Sequence, residues 1–99
     1  MTAKHPSRHS SAVVTGAGSG IGRAFALELA ARGGRVICSD VNLNTAQETV
    51  RLIQAKGGVG LAVKTDVAQI AEMESLAAEA EAWLGGPVTL VVNNAGVGV

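Results

Sequence analysis

The chain has 99 residues, 47% of them hydrophobic and 16% charged, with eight basic side chains balancing eight acidic ones. That composition is globular rather than disordered, and its length suits one small domain or part of a larger one. A zero net charge supplies no field to draw nucleic acid or anionic lipid, and a lone cysteine excludes an internal disulfide and fits a reducing compartment.

Residues 1–10 read as a flexible tail. The opening MTAKHPSRHSS has basic residues but no apolar stretch with a cleavage site, and no apolar run in the chain reaches the length of a membrane span. The expected address is the cytoplasm, with neither membrane nor nucleic acid as partner. His5 and His9 stand four apart, but Pro6 between them and the lack of cysteine or acidic neighbours argue against a metal site. SAVVT at 11–15 is a β-branched run that stops at glycine, as a strand does. A helix follows over 20–32, apolar almost all round, with Glu28 and Arg32 as its charged stripe and Gly33 and Gly34 as its stop.

RVICSD at 35–40 is a second strand, in which Cys38 reads as buried filler rather than a reactive thiol. Asn42 or Asn44 caps the next helix, which carries Leu43, Ala46, Val50 and Ile53 on one side and closes at Gly57 and Gly58. VGLAVKT at 59–65 is a third strand. The spacing predicts a helix over 68–84 with Ile70, Met73, Leu76, Ala77, Ala80, Trp83 and Leu84 on one face. Glu72, Glu74, Glu79 and Glu81 point away, and Met73 and Trp83 belong to the core. After GGP, VTLVV at 88–92 is a fourth strand, followed by NNAGVGV. Strands alternating with helices at this pitch, apolar on both faces, specify an α/β fold with a parallel sheet and right-handed crossovers.

Between the first strand and the first helix stand Gly16, Gly18, Gly20 and Gly22, four glycines in seven positions. The first amides of a helix have no intrahelical partner, and with the positive end of the helix dipole they form a site for a phosphate. A phosphate reaches those amides only where no Cβ intervenes, which accounts for Gly16, Gly18 and Gly20; Gly22 lets the helix lie close to the strands. A glycine-rich tight turn is the plainer alternative. No Lys-Ser/Thr pair opens the helix, so the nucleoside-triphosphate loop is excluded. The second strand ends in Asp40, where a carboxylate can take both ribose hydroxyls of an adenosine; a solvated strand end or helix cap is the other reading. A 2′-phosphate would meet that negative charge, and no Arg or Lys stands at Ser19, Val41 or Asn42 to neutralise it. NAD is therefore favoured over NADP. Arg23 reads as a surface charge.

TGAGSGIG (15–22), Asp40, TDV (65–67) and NNAG (93–96) together resemble the cofactor half of the short-chain dehydrogenase/reductase family, over residues 11–99. The resemblance implies an incomplete Rossmann-type doubly wound sheet of about four strands in order 3-2-1-4 with three helices. It implies that Asp66 hydrogen-bonds the adenine amino group and that the Val67 amide faces the adenine ring. It also implies that Asn93 steadies the central sheet beside the cofactor, and that Ala95 and Gly96 pass close to the adenine ribose. The cofactor set is thus Gly16, Gly18, Ser19, Gly20, Ile21, Gly22, Asp40, Asp66, Val67, Asn93, Ala95 and Gly96. Asp66 with Gln69 can equally be a helix-capping pair, and Asn93 with Asn94 turn formers.

The family moves the hydroxyl proton of an alcohol with a Tyr, a Lys four residues later, a Ser and a further Asn. This chain has no tyrosine, and Lys4, Lys56 and Lys64 stand in no matching context. The family's proton-handling residues follow NNAG, so no catalytic residue is named. The resemblance implies a fragment of an enzyme interconverting a secondary alcohol and a ketone, homo-oligomeric only at full length. By itself the chain is expected to be partly molten or prone to associate, because strand 88–92 is left as an apolar edge. A non-catalytic NAD-binding module is the alternative. An S-adenosylmethionine methyltransferase fits less well, since Val14 and Thr15 stand where an acidic residue would precede the turn and NNAG has no place in that pattern.

Overall fold

The computed structural model describes residues 10–94. The tail expected over residues 1–10 lies outside them except for Ser10, which is buried and accepts the Arg35 amide on its carbonyl. The elements are β1 (Ser11–Thr15), α1 (Gly20–Ala31), β2 (Arg35–Asp40), α2 (Leu43–Ala55), β3 (Val59–Lys64), α3 (Ile70–Leu84) and β4 (Leu90–Asn93). The four strands pair in the order β3-β2-β1-β4, all parallel, with Val14 opposite both Cys38 and Val92. This is the predicted α/β architecture and strand order.

Alternation along the strands divides the core in two. Ala12, Val14, Val36 and Cys38 face α1 and α2, where Ala26, Leu29, Ala46, Val50 and Ile53 meet them. Val13, Ile37 and Val63 face α3 and pack on Leu76, Ala80 and Leu84, with Met73 and Trp83 half-buried beside them. Burying each large aliphatic side chain contributes about 1.5–3 kcal/mol, so Ile37 and Ile53, both wholly enclosed, anchor their respective layers. Asn42 caps α2, its side-chain oxygen accepting the amides of Asn44 and Thr45. Arg35 reaches across β1 to the last turn of α3, donating to Leu84 O at 2.7 Å and to Ser11 Oγ at 3.0 Å. A cation there suits the negative end of the helix. Among the described residues no helix is long and apolar enough to cross a membrane.

Four expectations are corrected. The third helix begins at Ile70 rather than 68, because residues 66–69 form a turn in which the Gln69 amide donates to Asp66 O. Ile70, expected in the core, is 79% exposed at that helix start, and Ala77 is exposed too. The fourth strand begins at Leu90, because Thr89 pairs with Ser11 partly through its side chain: Thr89 Oγ1 accepts the Ser11 amide at 2.9 Å. Arg23 is no surface charge but a partly buried clamp between α1 and α2, paired with Glu48 at 2.9 Å.

β4 ends the sheet, with Val91 62% exposed on the α3 side. Beside it an apolar cavity of about 130 Å³ opens between Val13, Met73, Leu76, Ala77, Val88 and Val91. An apolar strand edge of this kind promotes association between chains. Val91→Lys is expected to shift the chain toward monomer in sedimentation velocity, and an unchanged distribution would place the association elsewhere.

Two buried groups on β2 have measurable consequences. Ser39 is fully buried and its hydroxyl has no hydrogen-bond partner among the described residues. Ser39→Ala should therefore raise the urea midpoint, by about 1 kcal/mol of stability, since an unpaired buried hydroxyl is replaced by a methyl. Burial pushes the Cys38 thiol from 9.0 up to about 12, against the opposing pull of the Arg23 charge. Only the unfolded chain releases this proton between those values, so the stabilisation is whole below the lower one and is lost as pH rises toward the upper. From pH 9 to 10 the chain should lose about 1 kcal/mol more than Cys38→Ala does, read from paired denaturant titrations.

Candidate functional site

The turn from β1 into α1 uses its four glycines for different reasons. Gly16 has φ 67° and Gly20 φ 57°, a region that side chains rarely adopt, and a Cβ on Gly20 would point into open space. Gly18 has another role. A Cβ there would run into Thr45 Oγ1 and come within 2.7 Å of Asp40 Oδ2, so its bareness admits the protein's own side chains rather than a phosphate. At Gly22 a Cβ would strike the Gly16 carbonyl and lie 2.9 Å from Asn94 Nδ2, which confirms the close seating of helix on strand.

Ser19 is the extended N-cap of α1, and its side chain makes no capping bond; the first turn carries no acidic residue. Ser19, Gly20 and Ile21 are all exposed, Ile21 by 67%. Their amides find no acceptor among the described residues, and the first helical bond runs from the Arg23 amide to Ser19 O. The turn thus presents unpartnered donors at the positive end of a 12-residue helix.

Asp40 stands half-buried beside it. Its Oδ2 accepts the Gly18 amide at 2.9 Å and its Oδ1 the Asn42 amide at 3.0 Å, so the carboxylate ties the glycine turn to the end of β2. Across a cleft of about 280 Å³ lies the turn after β3, and the cleft is lined by Gly16, Asp40, Val41, Thr65, Asp66 and Val67. Four of these, Gly16, Asp40, Asp66 and Val67, are in the set drawn from the sequence, and the fold brings them to one place.

The capping pair between Asp66 and Gln69 does not form, since Gln69 is the N-cap of α3 and its side chain makes no capping bond. Asp66 Oδ1 instead accepts the Ala68 amide at 3.0 Å, and the Asp66 amide donates to Glu72 Oε1 at 2.7 Å. Glu72 therefore turns back toward the cleft's rim, where helical periodicity alone points it outward. Val41 and Thr65 line the cleft as well. An exposed valine directly after the strand-ending Asp40 is the signal for the first, and the TDV motif carries the second.

Asn93 and Asn94 are more than turn formers. The Thr15 hydroxyl donates to Asn93 Oδ1 at 2.9 Å, with Val92 O at 3.4 Å, and accepts the Asn94 amide at 3.0 Å. Asn94 Nδ2 donates to Gly16 O at 3.4 Å. These bonds join the end of β4 to the root of the glycine turn. Ala95 and Gly96 lie outside the described residues. Among the described residues no group of three or more His, Cys, Asp or Glu gathers as a metal site would require.

The residues present fit a dinucleotide at its adenosine and pyrophosphate end. Bare, exposed amides face where an anion can sit, and an acid and an apolar wall line a cleft beside them.

Comparison with known proteins gives the family. The family model for short chain dehydrogenases matches residues 10–99. The chain is 47% identical over 88 residues to the oxidoreductase-named SadH of Mycobacterium tuberculosis, covering 87% of this chain and 31% of that protein. It is 44% identical over 86 residues to a cyclohexanol dehydrogenase of Acinetobacter sp., covering 87% and 34% respectively. The crystal structure of a hydroxysteroid dehydrogenase from Escherichia coli superposes with a TM-score of 0.87 at 38% identity, over 95% of this chain and 40% of that one. The chain spans about a third of the length of the curated relatives it matches. With its parallel sheet in the order 3-2-1-4 and its glycine turn at the head of α1, this chain belongs to the short-chain dehydrogenase family.

Proposed function

We propose that residues 10–99 bind the adenosine and pyrophosphate of NAD for an oxidoreductase that interconverts a secondary alcohol and a ketone. The observation that carries this reading is the cleft that Gly16 of the glycine turn shares with Asp40, Asp66 and Val67, next to the bare start of α1. Beside it, at the start of α1, the amides of Ser19, Gly20 and Ile21 take the pyrophosphate oxygens, with Gly16 and Gly22 shaping the approach. Asp40 accepts from the ribose hydroxyls, Asp66 from the adenine amino group, and the Val67 amide faces the ring. Asn93, Ala95 and Gly96 form the border on the β4 side. When bound, the dinucleotide supplies a nicotinamide that gives or takes a hydride. The residues of this chain hold and orient it; with no tyrosine in the chain, no proton-transfer group is assigned to it.

Asp40 also favours NAD over NADP, because a 2′-phosphate would stand against its carboxylate and no Arg or Lys occupies Ser19, Val41 or Asn42; the cation opposite Asp40 is Lys64, across the β2–β3 pairing. The substrate class follows the named relatives, a cyclohexanol and a hydroxysteroid dehydrogenase, both of which point to a cyclic secondary alcohol. The protein is placed in the cytoplasm, and its partners are small molecules.

A thermal or denaturant titration tests the cofactor reading. NAD at a hundredfold excess over its dissociation constant should stabilise the chain by about 2.7 kcal/mol. NADP at the same concentration should stabilise it less. Asp40→Asn keeps an oxygen for the Gly18 amide but loses the charge, and should weaken NAD by about tenfold while narrowing the gap to NADP. A larger shift with NADP than with NAD in the unaltered chain would overturn the role given to Asp40.

A further inference from the structure

We propose that Arg23 is a positioning residue for the dinucleotide: its guanidinium holds the glycine turn in the shape that aims the amides of Ser19, Gly20 and Ile21 at a pyrophosphate. The inference rests on the cofactor reading above and assigns a task to a side chain that reading does not use.

The backbone of Ala17 and Gly18 has four polar groups, and each is engaged from the protein side. The Ala17 amide donates to Ser39 O at 3.0 Å, and the Ala17 carbonyl accepts from the Thr49 hydroxyl at 2.7 Å. The Gly18 amide donates to Asp40 Oδ2 at 2.9 Å, and the Gly18 carbonyl accepts from Arg23 Nη2 at 2.6 Å. The next three amides find no acceptor among the described residues. The turn is thus a fixed base with a free rim, and Arg23 supplies the bond closest in sequence to that rim.

Arg23 makes this bond from a position where a cation is otherwise disfavoured. It stands in the first turn of α1, at the positive end of the helix dipole, where an acidic residue is the favourable choice. It is nevertheless only 25% exposed, because it collects acceptors from two elements. Besides Gly18 O, its Nε donates to Thr49 Oγ1 at 2.9 Å and its Nη2 to Thr45 O at 3.3 Å, with Glu48 Oε1 2.9 Å away. Thr49, fully buried, accepts from Arg23 and donates to Ala17 O, so a single network runs from α2 through both residues of the base. The planar fork spans a carbonyl on the turn and a hydroxyl on α2 from two separate nitrogens held in fixed geometry, whereas an ammonium has its donors on one atom. Its Nε and Nη2 donors are directed at the protein's own acceptors, so Arg23 acts on an incoming anion through the turn rather than by touching it.

Binding of ADP-ribose and of adenosine, measured by calorimetry on the unaltered chain and on Arg23→Ala, Arg23→Lys and Glu48→Gln, tests the assignment. Only ADP-ribose carries the pyrophosphate. Arg23→Ala should weaken ADP-ribose about tenfold while changing adenosine by no more than about twofold. Arg23→Lys, which keeps the charge and can hold one carbonyl, should recover part of that loss. Glu48→Gln should bind both as the unaltered chain does. Amide exchange gives a reading that needs no ligand: Gly18 should exchange faster in Arg23→Ala while Val13 and Ile37 keep their protection. An equal loss for both ligands would mean that Arg23 only welds helix to helix. Should Arg23→Ala fail to fold, full ADP-ribose affinity in Arg23→Lys would overturn the proposal. If the unaltered chain binds neither compound, it is the cofactor reading that fails.

Discussion

The bond from the Gly18 amide to the Asp40 carboxylate is the constraint on which the site depends. It joins two places 22 residues apart at a separation of 2.9 Å, and it exists only because Gly18 has no side chain to occupy that space. The same contact fixes the Asp40 carboxylate relative to the open start of α1. Parallel pairing of β1 with β2, Thr15 opposite Ser39, delivers the two segments to the same end of the sheet. Hydrogen bonds then set the remaining geometry, in a cleft where side-chain burial alone would leave several arrangements of similar energy.

The architecture was legible because its signals are local. Short β-branched runs ending at glycine, helices closed by glycine pairs, and an acid at the end of the second strand each follow from a few neighbouring residues. Gly16 and Gly20 belong to the same class, since their backbone angles demand glycine whatever surrounds them. What was not legible depends on partners distant in sequence. Gly18 looks like a third bare position for an anion until Thr45 is seen against it, and Arg23 looks like a solvated charge until α2 supplies its acceptors. Glu72 fails for a related reason: helical spacing turns it outward, but at the start of α3 outward is where the Asp66 amide lies.

Membership of the family gives these contacts a wider setting. Among the described residues the glycine turn follows an inner strand of the sheet, and the two outer strands differ in character. β3 is flanked by α2 and has few large apolar groups directed outward. β4 carries Val91 toward an apolar cavity, and on the opposite face α1 shows Ile21 and Phe25, the latter 48% exposed. Apolar surface on both sides of one strand is costly to leave in water. It accounts for the expectation that the chain associates, without any need for a charged or specific partner.

The fastening of α3 has a dynamic consequence. Arg35 grips its final carbonyl, and Leu76, Ala80 and Leu84, the buried residues of the helix, run from its middle to its end. Its beginning, with Ile70 in solvent, is held by exposed hydrogen bonds around Asp66. A rod pinned at one extremity fluctuates most at the other, and transient fraying there costs less free energy than disturbing the strands. The wall bearing Asp66 and Val67 is therefore the compliant side of the cleft, and the wall bearing Gly18 and Asp40 the stiff one.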